Sequence, residues 1–280
     1  MNRKVRLITL AFILAVAAPV QQAIGYYQFI DLGTLGGWDS FALSINNQGQ
    51  IVGYAKDSSG NYRAILFDQT GSGNNINLGT LGGNLSEAYS TNNHGQIVGW
   101  VSNRSGNMRA TLFDPTGGGK NVDLGSLGGT DSSAFSINNL GQIMGWAYDS
   151  SGNYKATLFD PTGGGKNIDL GTLGGTKSLA YSINNHGQIV GWAANTLGNE
   201  RATLFDSTGT GNNIDLNTLI DPSLGWTLRE AYSINDNGWI VGTGLNPAGY
   251  ERAYLLIPEP ASAAMLALGA FFLRKRYDGR

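Results

Sequence analysis

The chain has 280 residues, of which 42 are glycine and only 14% are charged, and its formal net charge is −2. Lysine and arginine collect at the two ends, so the stretch 26–257 carries 11 basic residues against 18 acidic ones. Such a body would repel a phosphate backbone, which argues against nucleic-acid binding. The absence of cysteine excludes disulfides, thiol nucleophiles and Cys-ligated metals.

Residues 1–25 have the pattern of a secretory signal peptide. Three cations, Arg3, Lys4 and Arg6, precede an apolar run over 7–18, which is short for a membrane span of roughly 20 residues. Cleavage before Tyr26 is preferred over an earlier site after Ala17. A retained N-terminal anchor is the alternative.

The stretch 26–257 is a repeat. A Leu-Gly-(Thr/Ser)-Leu-Gly-Gly motif, degenerate in its fifth copy, recurs with a spacing of 46 residues and starts at Leu32, Leu78, Leu124, Leu170 and Leu216. Between these motifs recur Ala-aromatic-Ser-Ile-Asn, Gly-Gln-Ile-Val-Gly-Trp and (Arg/Lys)-Ala-Thr-Leu-Phe-Asp segments. Each is rich in β-branched and aromatic residues and bounded by Gly, Asn, Asp or Ser, which predicts short strands joined by tight turns.

Each repeat unit therefore contains four predicted strands. In the fourth unit they are Ala180–Asn184, Gln188–Trp192, Arg201–Phe205 and Asn213–Leu216. A four-stranded unit of about 40 to 50 residues is typical of a β-propeller blade. The fold prediction is all-β, a five-bladed propeller.

The repeat count also predicts how the ring closes. The last unit lacks a fourth strand, and an unmatched one precedes the first unit near Tyr27 to Leu32. A strand supplied by the N-terminus would complete the last blade and remove both sheet edges. An open β-solenoid is the alternative.

The combined repeat motifs resemble the bacterial extracellular HAF repeat family over about Phe29 to Leu256. The family's signature His-Ala-Phe is altered here, because Arg109-Ala110-Thr111 and its equivalents stand in that place. The resemblance implies export and a repeat architecture, and it carries no activity.

Residues 258–280 form the third predicted segment. Pro258, Glu259 and Pro260 precede an apolar run over 263–273 and the cluster Arg274, Lys275 and Arg276. This order resembles the PEP-CTERM sorting tail of Gram-negative bacteria, which implies recognition by an exosortase-type processing enzyme. The short run and its terminal cations predict transient contact with the inner membrane, followed by release to the cell surface or extracellular matrix.

The sequence offers little for catalysis or metal binding. His94 and His186 occupy the same turn position without a third ligand, so no metal site is predicted. The loops 57–61 and 149–153 resemble Ca²⁺ loops but have one carboxylate each, which leaves calcium a weak possibility and no other cofactor. A basic residue recurs at one position of the repeat, starting with Arg63, and an aspartate recurs five residues after it, starting with Asp68. This spacing predicts that the two charges balance each other locally.

The candidate acids outside the repeat pattern form no recognisable pair, and they include Asp39, Glu87, Asp131, Glu200, Glu230 and Glu251. We therefore expect a non-catalytic surface or matrix protein that binds polysaccharide or another envelope component. A glycan-cleaving enzyme, hydrolase or lyase, is the alternative.

Aromatic residues that break the repeat predict where a glycan would bind. Trp38 and Trp226 have no equivalents in other units, and Tyr62 and Tyr250 lie in loops of the same two units. Flat aromatic rings suit stacking on sugars. The alternative is that both tryptophans pack on the core. The regular series Trp100, Trp146 and Trp192 is predicted to be core between blades.

Overall fold

The computed structural model describes residues 28–259. The predicted signal peptide and the tail from Pro260 onward, with Arg274, Lys275 and Arg276, lie outside the described residues. The part from Asp31 onward forms one compact unit, and 28–30 belong to a separate unit. Within the described residues, no helix has the length and apolar character needed to span a bilayer.

Five antiparallel sheets follow one another along the chain. The first sheet contains β1 (Gly36–Ile45), β2 (Ile51–Asp57), β3 (Tyr62–Phe67) and β4 (Ile76–Asn77). The second contains β5 (Gly82–Thr91), β6 (Ile97–Asn103), β7 (Met108–Phe113) and β8 (Val122–Asp123). The third contains β9 (Gly128–Ile137), β10 (Ile143–Asp149), β11 (Tyr154–Phe159) and β12 (Ile168–Asp169).

The fourth sheet contains β13 (Gly174–Ile183), β14 (Ile189–Asn195), β15 (Glu200–Phe205) and β16 (Ile214–Asp215). The fifth has three strands, β17 (Thr227–Ile234), β18 (Ile240–Leu245) and β19 (Glu251–Leu256). Strands within each sheet pair in chain order. The prediction of an all-β repeat is confirmed.

Two glycines explain why the first hairpin of each sheet needs its recurring sequence pattern. In the fourth sheet, Gly187 adopts a φ of 77° in the tight turn, a conformation that side chains disfavour. On the next strand, a Cβ on Gly191 would overlap the carbonyl oxygen of Leu179, because β13 bulges between Ala180 and Ser182. The glycine lets the two backbones approach closely.

Neighbouring sheets share their cores. Between the second and third sheets, Val98 and Ala110 pack with Ile137 and Phe159. A hydrogen bond crosses the same junction, from the buried backbone N–H of Ala110 to the Ser132 hydroxyl at 2.9 Å. Equivalent bonds join Ala64 to Ser86 and Ala156 to Ser178. Apolar contact and one fixed polar bond thus set the spacing of these sheets.

An asparagine ladder joins the first turns of the five sheets, each turn lying between a first and a second strand. The side-chain amides of Asn46, Asn92, Asn138 and Asn184 each donate to the main-chain carbonyl of the next asparagine in the series, at 2.9 to 3.0 Å, ending at Asn235. All five turns line one polar pocket of about 380 Å³.

The structure differs from the expected strands in two places. In sheets one to four, the first strand begins at the Gly-Gly pair. In the fourth sheet this start lies six residues before the expected one. The strand is longer because these glycines fit closely against the end of the second strand. The longer link before the fifth sheet, which contains the five-residue insertion, has two 3₁₀ turns, Leu216–Leu219 and Pro222–Leu224.

The predicted closing strand is not formed. Residues 28–34 lie in no strand, and the fifth sheet has no fourth strand among the described residues. Each fourth strand pairs with the third strand that precedes it, and among residues 28–259 no sheet precedes the first one. Accordingly, Ile45 of the first sheet is 66% exposed and Val241 of the fifth is 45% exposed, whereas Ile137 is 6% and Val190 is 0% exposed.

Candidate functional site

An aromatic cleft of about 390 Å³ opens between the third, fourth and fifth sheets. Its lining consists of Trp146, Tyr148, Tyr154, Leu179, Tyr181, Trp192, Glu200 and Glu230. Five aromatic side chains and two carboxylates therefore face one space. The cleft lies near the loops between second and third strands, away from the asparagine ladder.

The strands position the rings through cross-strand pairing. Trp146 pairs with the small Ala156, which leaves room for the indole, and Tyr148 pairs with Tyr154 at the end of the hairpin. The Trp146 and Tyr148 rings are 5.3 Å apart edge to face, and Tyr154 meets Trp192 of the next sheet at 5.8 Å in the same manner. Such contacts hold the rings in fixed orientations before any ligand arrives.

The two carboxylates of the cleft have different partners. The Tyr181 hydroxyl donates to Glu230 Oε2 at 3.0 Å, and the Tyr254 hydroxyl donates to the Glu230 main-chain carbonyl at 2.8 Å. Glu200 instead accepts from Arg229 Nη2 at 2.6 Å. Burial and then the charge of Glu230 raise the pKa of Tyr181, so this phenol stays a neutral donor at physiological pH.

The cleft lies where the regular sheet junction is interrupted. Arg229 occupies the repeat position of Ser178, whose hydroxyl accepts from Ala156 in the junction between the third and fourth sheets. A long charged side chain cannot occupy that buried place, and Arg229 pairs with Glu200 at the cleft instead. The repeat is broken, and the break opens the cleft towards the fifth sheet.

Each of the four residues of the predicted platform has its own local surroundings. Trp38 is 82% exposed on β1, and Tyr250 is 61% exposed with the Arg252 guanidinium 5.5 Å from its ring. Trp226 is half-buried and packs on the core of the fifth sheet. Tyr62 is half-buried against Tyr54 at 5.3 Å. None of the four rings stacks on another of the four in the part of the chain that the structure describes.

The remaining sequence candidates have local partners. Asp57 Oδ1 accepts from the backbone N–H groups of Ser59 and Asn61, and its Oδ2 accepts from Arg63 at 2.9 Å, so the loop that resembled a Ca²⁺ site uses its carboxylate for the turn. The backbone N–H groups of His94 and His186 donate within their turns. Residues 28–259 contain no cluster of three or more metal-ligating His, Asp or Glu side chains.

The predicted charge balance between the Arg63 and Asp68 series is wrong. Arg63 pairs with Asp57, and Arg109 pairs with Asp123 at 3.1 Å. Asp68 instead accepts from the Ser72 and Thr70 hydroxyls of its own turn, and these bonds hold its pKa below the usual range. Five residues along a strand change the face that a side chain occupies, which separates the two series.

Of the predicted sorting residues, only Pro258 and Glu259 are described. They follow β19 and line an apolar cavity of about 600 Å³ together with Leu219 and Ile257. The cavity adjoins the place where the fifth sheet lacks a fourth strand.

Sequence reasoning missed most of the cleft. The regular tryptophans were expected to be core, which fits Trp192 at 6% exposed, but Trp146 is half-buried and lines the opening. The available signal was a departure from the repeat: the second sheet has Ser102 and Met108 where the third has Tyr148 and Tyr154.

Comparison with known proteins gives one partial match. A family model described as "Protein of unknown function (DUF3466)" matches residues 130–251, which include nearly all of the third sheet, the fourth sheet and the first two strands of the fifth. No curated protein and no solved structure matches the chain. The matched stretch contains the whole cleft.

Proposed function

We propose that this chain is an exported, non-catalytic protein that binds polysaccharide through the aromatic cleft. The observation that carries the proposal is the set of fixed aromatic rings beside Glu230 and Glu200. Aromatic faces stack on the apolar faces of sugar rings, while carboxylates and the Tyr181 hydroxyl can bond to sugar hydroxyls. The acidic body favours neutral polysaccharides over anionic ones.

Affinity electrophoresis tests this function. The wild-type protein should be retarded in gels that contain a neutral β-glucan and should migrate freely in gels that contain polygalacturonate. A Tyr148→Ser, Tyr154→Met variant should lose the retardation. Because it carries the Ser102–Met108 pair of the second sheet, we expect it to fold normally. Equal migration of variant and wild type in β-glucan would refute the proposal.

A glycan-cleaving activity is the second candidate, because Glu200 and Glu230 line the same cleft. The measurement is release of reducing ends from the polysaccharide that the protein retains, with Glu230→Gln as the matched variant. Non-catalytic binding predicts no release above buffer. If the wild type releases reducing ends and Glu230→Gln does not, the protein cleaves glycans by hydrolysis or elimination, and the non-catalytic proposal is refuted.

We also propose export and sorting through the two terminal segments. The signal-like residues 1–25, the resemblance to HAF repeats and the PEP-CTERM-like order of Pro258, Glu259 and Pro260 support this route. Mass spectrometry of the mature protein from its native host is the test. A start at Tyr26 and loss of 263–273 are expected, and a secreted form that retains 263–273 would contradict the sorting tail.

The five sheets are, in this proposal, the blades of a propeller whose ring is closed between the fifth and first sheets. The shared pocket of the five asparagine turns supports closure, and Ile45 and Val241 are the exposed apolar side chains that closure would bury. By the repeat register, in which the Leu78 N–H donates to the Ala64 carbonyl, Leu32 would pair with Ala253. An open β-solenoid would leave both faces free.

Cysteine pairing distinguishes closure from the open arrangement. The chain has no cysteine, so a double variant Leu32→Cys, Ala253→Cys has a single possible disulfide. Directly opposed residues of antiparallel strands lie within disulfide reach. Closure predicts rapid intramolecular oxidation of this pair. It predicts little oxidation for Leu32→Cys with Arg252→Cys, because residue 252 points to the opposite face of the strand. Equal slow oxidation of both pairs would favour the solenoid.

A further inference from the structure

The cleft is one end of a longer series of aromatic contacts. Tyr181 of the fourth sheet meets Tyr232 of the fifth at 5.3 Å and Phe135 of the third at 6.4 Å. Phe135 in turn meets Tyr89 of the second sheet at 5.7 Å. These four rings occupy the same position of successive first strands, so the series crosses four sheets.

Polar bonds anchor the series in the second sheet. The Tyr89 hydroxyl donates to Glu87 Oε2 at 2.7 Å, and the Trp100 indole N–H donates to the Tyr89 hydroxyl at 3.0 Å. Glu87 and Glu230 hold the same repeat position, and each is a carboxylate beside aromatic side chains. Each is bonded by a tyrosine hydroxyl, Tyr89 for Glu87 and Tyr181 for Glu230.

The first sheet contributes a second group of accessible rings. Phe41 stacks on Tyr54 at 4.8 Å, and Tyr62 stands edge-on to Tyr54 at 5.3 Å. Phe41 is 44% exposed, and Lys56 lies over the Tyr62 ring at 5.1 Å. We call Phe41, Tyr54 and Tyr62 the first-sheet cluster.

The first-sheet cluster and the cleft lie at the same level of the repeat. Tyr54 and Trp146 both face the small residue of their third strand, Ala64 and Ala156 respectively. Tyr62 and Tyr154 both begin their third strands. Two ring groups on equivalent edges, with Tyr89 and Phe135 of the contact series between them, form an extended surface rather than an isolated pocket.

We infer that the ligand is an extended, neutral glycan chain that contacts the cleft and the first-sheet cluster at the same time. This inference rests on the proposed function. A β-linked glucan, whose ring hydroxyls are equatorial, presents apolar C–H faces along its length and suits a row of rings. Binding at the second group follows binding at the first as an intramolecular event, so affinity rises with chain length.

Calorimetry with cello-oligosaccharides, from the disaccharide to the octasaccharide, tests the inference. Two variants are compared with wild type. The cleft variant is Tyr148→Ser, Tyr154→Met, and the cluster variant is Phe41→Leu, Tyr62→Met. Each replacement is native at the same repeat position, in Ser102, Met108 and Leu179, which protects the fold. Unchanged melting temperatures verify that protection.

For wild type, affinity should rise by roughly tenfold or more between the trisaccharide and the octasaccharide. The cluster variant should bind the trisaccharide as wild type does and lose the gain for the octasaccharide. The cleft variant should lose affinity at every length. A cluster variant that keeps the full gain, or an affinity that stops rising at the trisaccharide, overturns the extended-chain inference while leaving cleft binding intact. Failure of wild type to bind any length would overturn the proposed function itself.

Discussion

The two ends of the sheets differ in how strictly they follow the repeat. At the asparagine ladder, four successive junctions use the same carboxamide-to-carbonyl bond, with lengths between 2.9 and 3.0 Å. At the aromatic end, the same repeat position holds Tyr62, Met108, Tyr154, Glu200 and Glu251. The constant end sets how sheets are spaced, and the variable end forms the surface to which we assign glycan binding in our proposal.

This difference teaches where to look for function in a repeat protein. A bond that is needed at every junction cannot vary without loss of stability, so it carries no information about a ligand. Arg229 breaks the buried serine pattern of Ser86, Ser132 and Ser178, and it does so at the edge of the cleft. Departures from the repeat therefore mark the candidate site.

The largest expected loss of stability comes from a substitution in the first hairpin of the fourth sheet, which supports the aromatic end. Gly191→Ala places a methyl group against the Leu179 carbonyl oxygen and forces β13 and β14 apart. We expect a loss of about 3 kcal/mol or more in the free energy of unfolding, measured with denaturant. Gly118→Ala is the control, because its φ is ordinary and the added methyl group meets only side-chain oxygens of Asp114 and Thr116, at 3.0 and 3.1 Å. It should change stability by less than about 1 kcal/mol. Equal losses would mean that the close approach is not required.

The next largest loss of stability comes from a substitution in the asparagine ladder. Asn138→Ala removes the bond to the Asn184 carbonyl and leaves the backbone N–H groups of Leu140 and Gln142 without their acceptor. A loss of about 2 to 3 kcal/mol in unfolding free energy is expected, because buried polar groups lose their partners. Leu140→Gln, which copies Gln48 at the exposed turn position, should be nearly neutral. A neutral Asn138→Ala would show that the ladder does not hold the sheets.

A paired comparison then sharpens the contrast between regular and broken junctions. Ser178→Ala should cost about 1 to 2 kcal/mol, since it removes the buried acceptor of the Ala156 N–H. Arg229→Ala at the equivalent place should cost less than about 1 kcal/mol, because Arg229 and Glu200 are 39% and 34% exposed and water screens the pair. Thermal unfolding of both variants measures this order, and the reverse order would contradict the account of the junctions.

The smallest effect concerns acid. Asn185 donates to Asp236 through its side chain and its backbone N–H, and these bonds lower the pKa of Asp236 from 3.8. A lowered folded-state pKa adds stability above pH 3.8 that is lost as the pH falls below it. Asp236→Asn, which copies Asn185, should differ slightly from wild type at pH 7, and the difference should shrink as the pH falls below 3.8. A melting-temperature difference that grows on acidification would contradict this sign.

The sheets could be predicted from the sequence because the same short strand and turn motifs recur in five units. The 46-residue spacing, the Asn-Asn-x-Gly turns and the Ile-Val-Gly-Trp strands each fix a hairpin through local interactions. The cleft could not be predicted in the same way. Tyr154 meets Trp192 only because two sheets pack at one spacing, which depends on contacts between residues distant in sequence.

The predicted platform stays a prediction, and its two tryptophans show the same limit of local patterns. Trp226 and Trp38 break the repeat, but a break marks a difference without saying which way a side chain points. Trp226 turns onto the core of the fifth sheet, beside the 3₁₀ turns that the sequence pattern did not indicate. The pattern identified variable positions, and packing decided which of them share a surface.

Titration of the tryptophan indole N–H signals with cellohexaose tests the central claim most directly. The six tryptophans give six NMR signals that single substitutions can assign. If glycans bind at the aromatic end, the indole signals of Trp146 and Trp192 should change their chemical shifts. The signal of Trp239, which follows the asparagine turn of the fifth sheet, should not change. Shifts confined to Trp38 and Trp226, or to Trp239, with Trp146 and Trp192 unmoved, would contradict the assignment of function to the cleft.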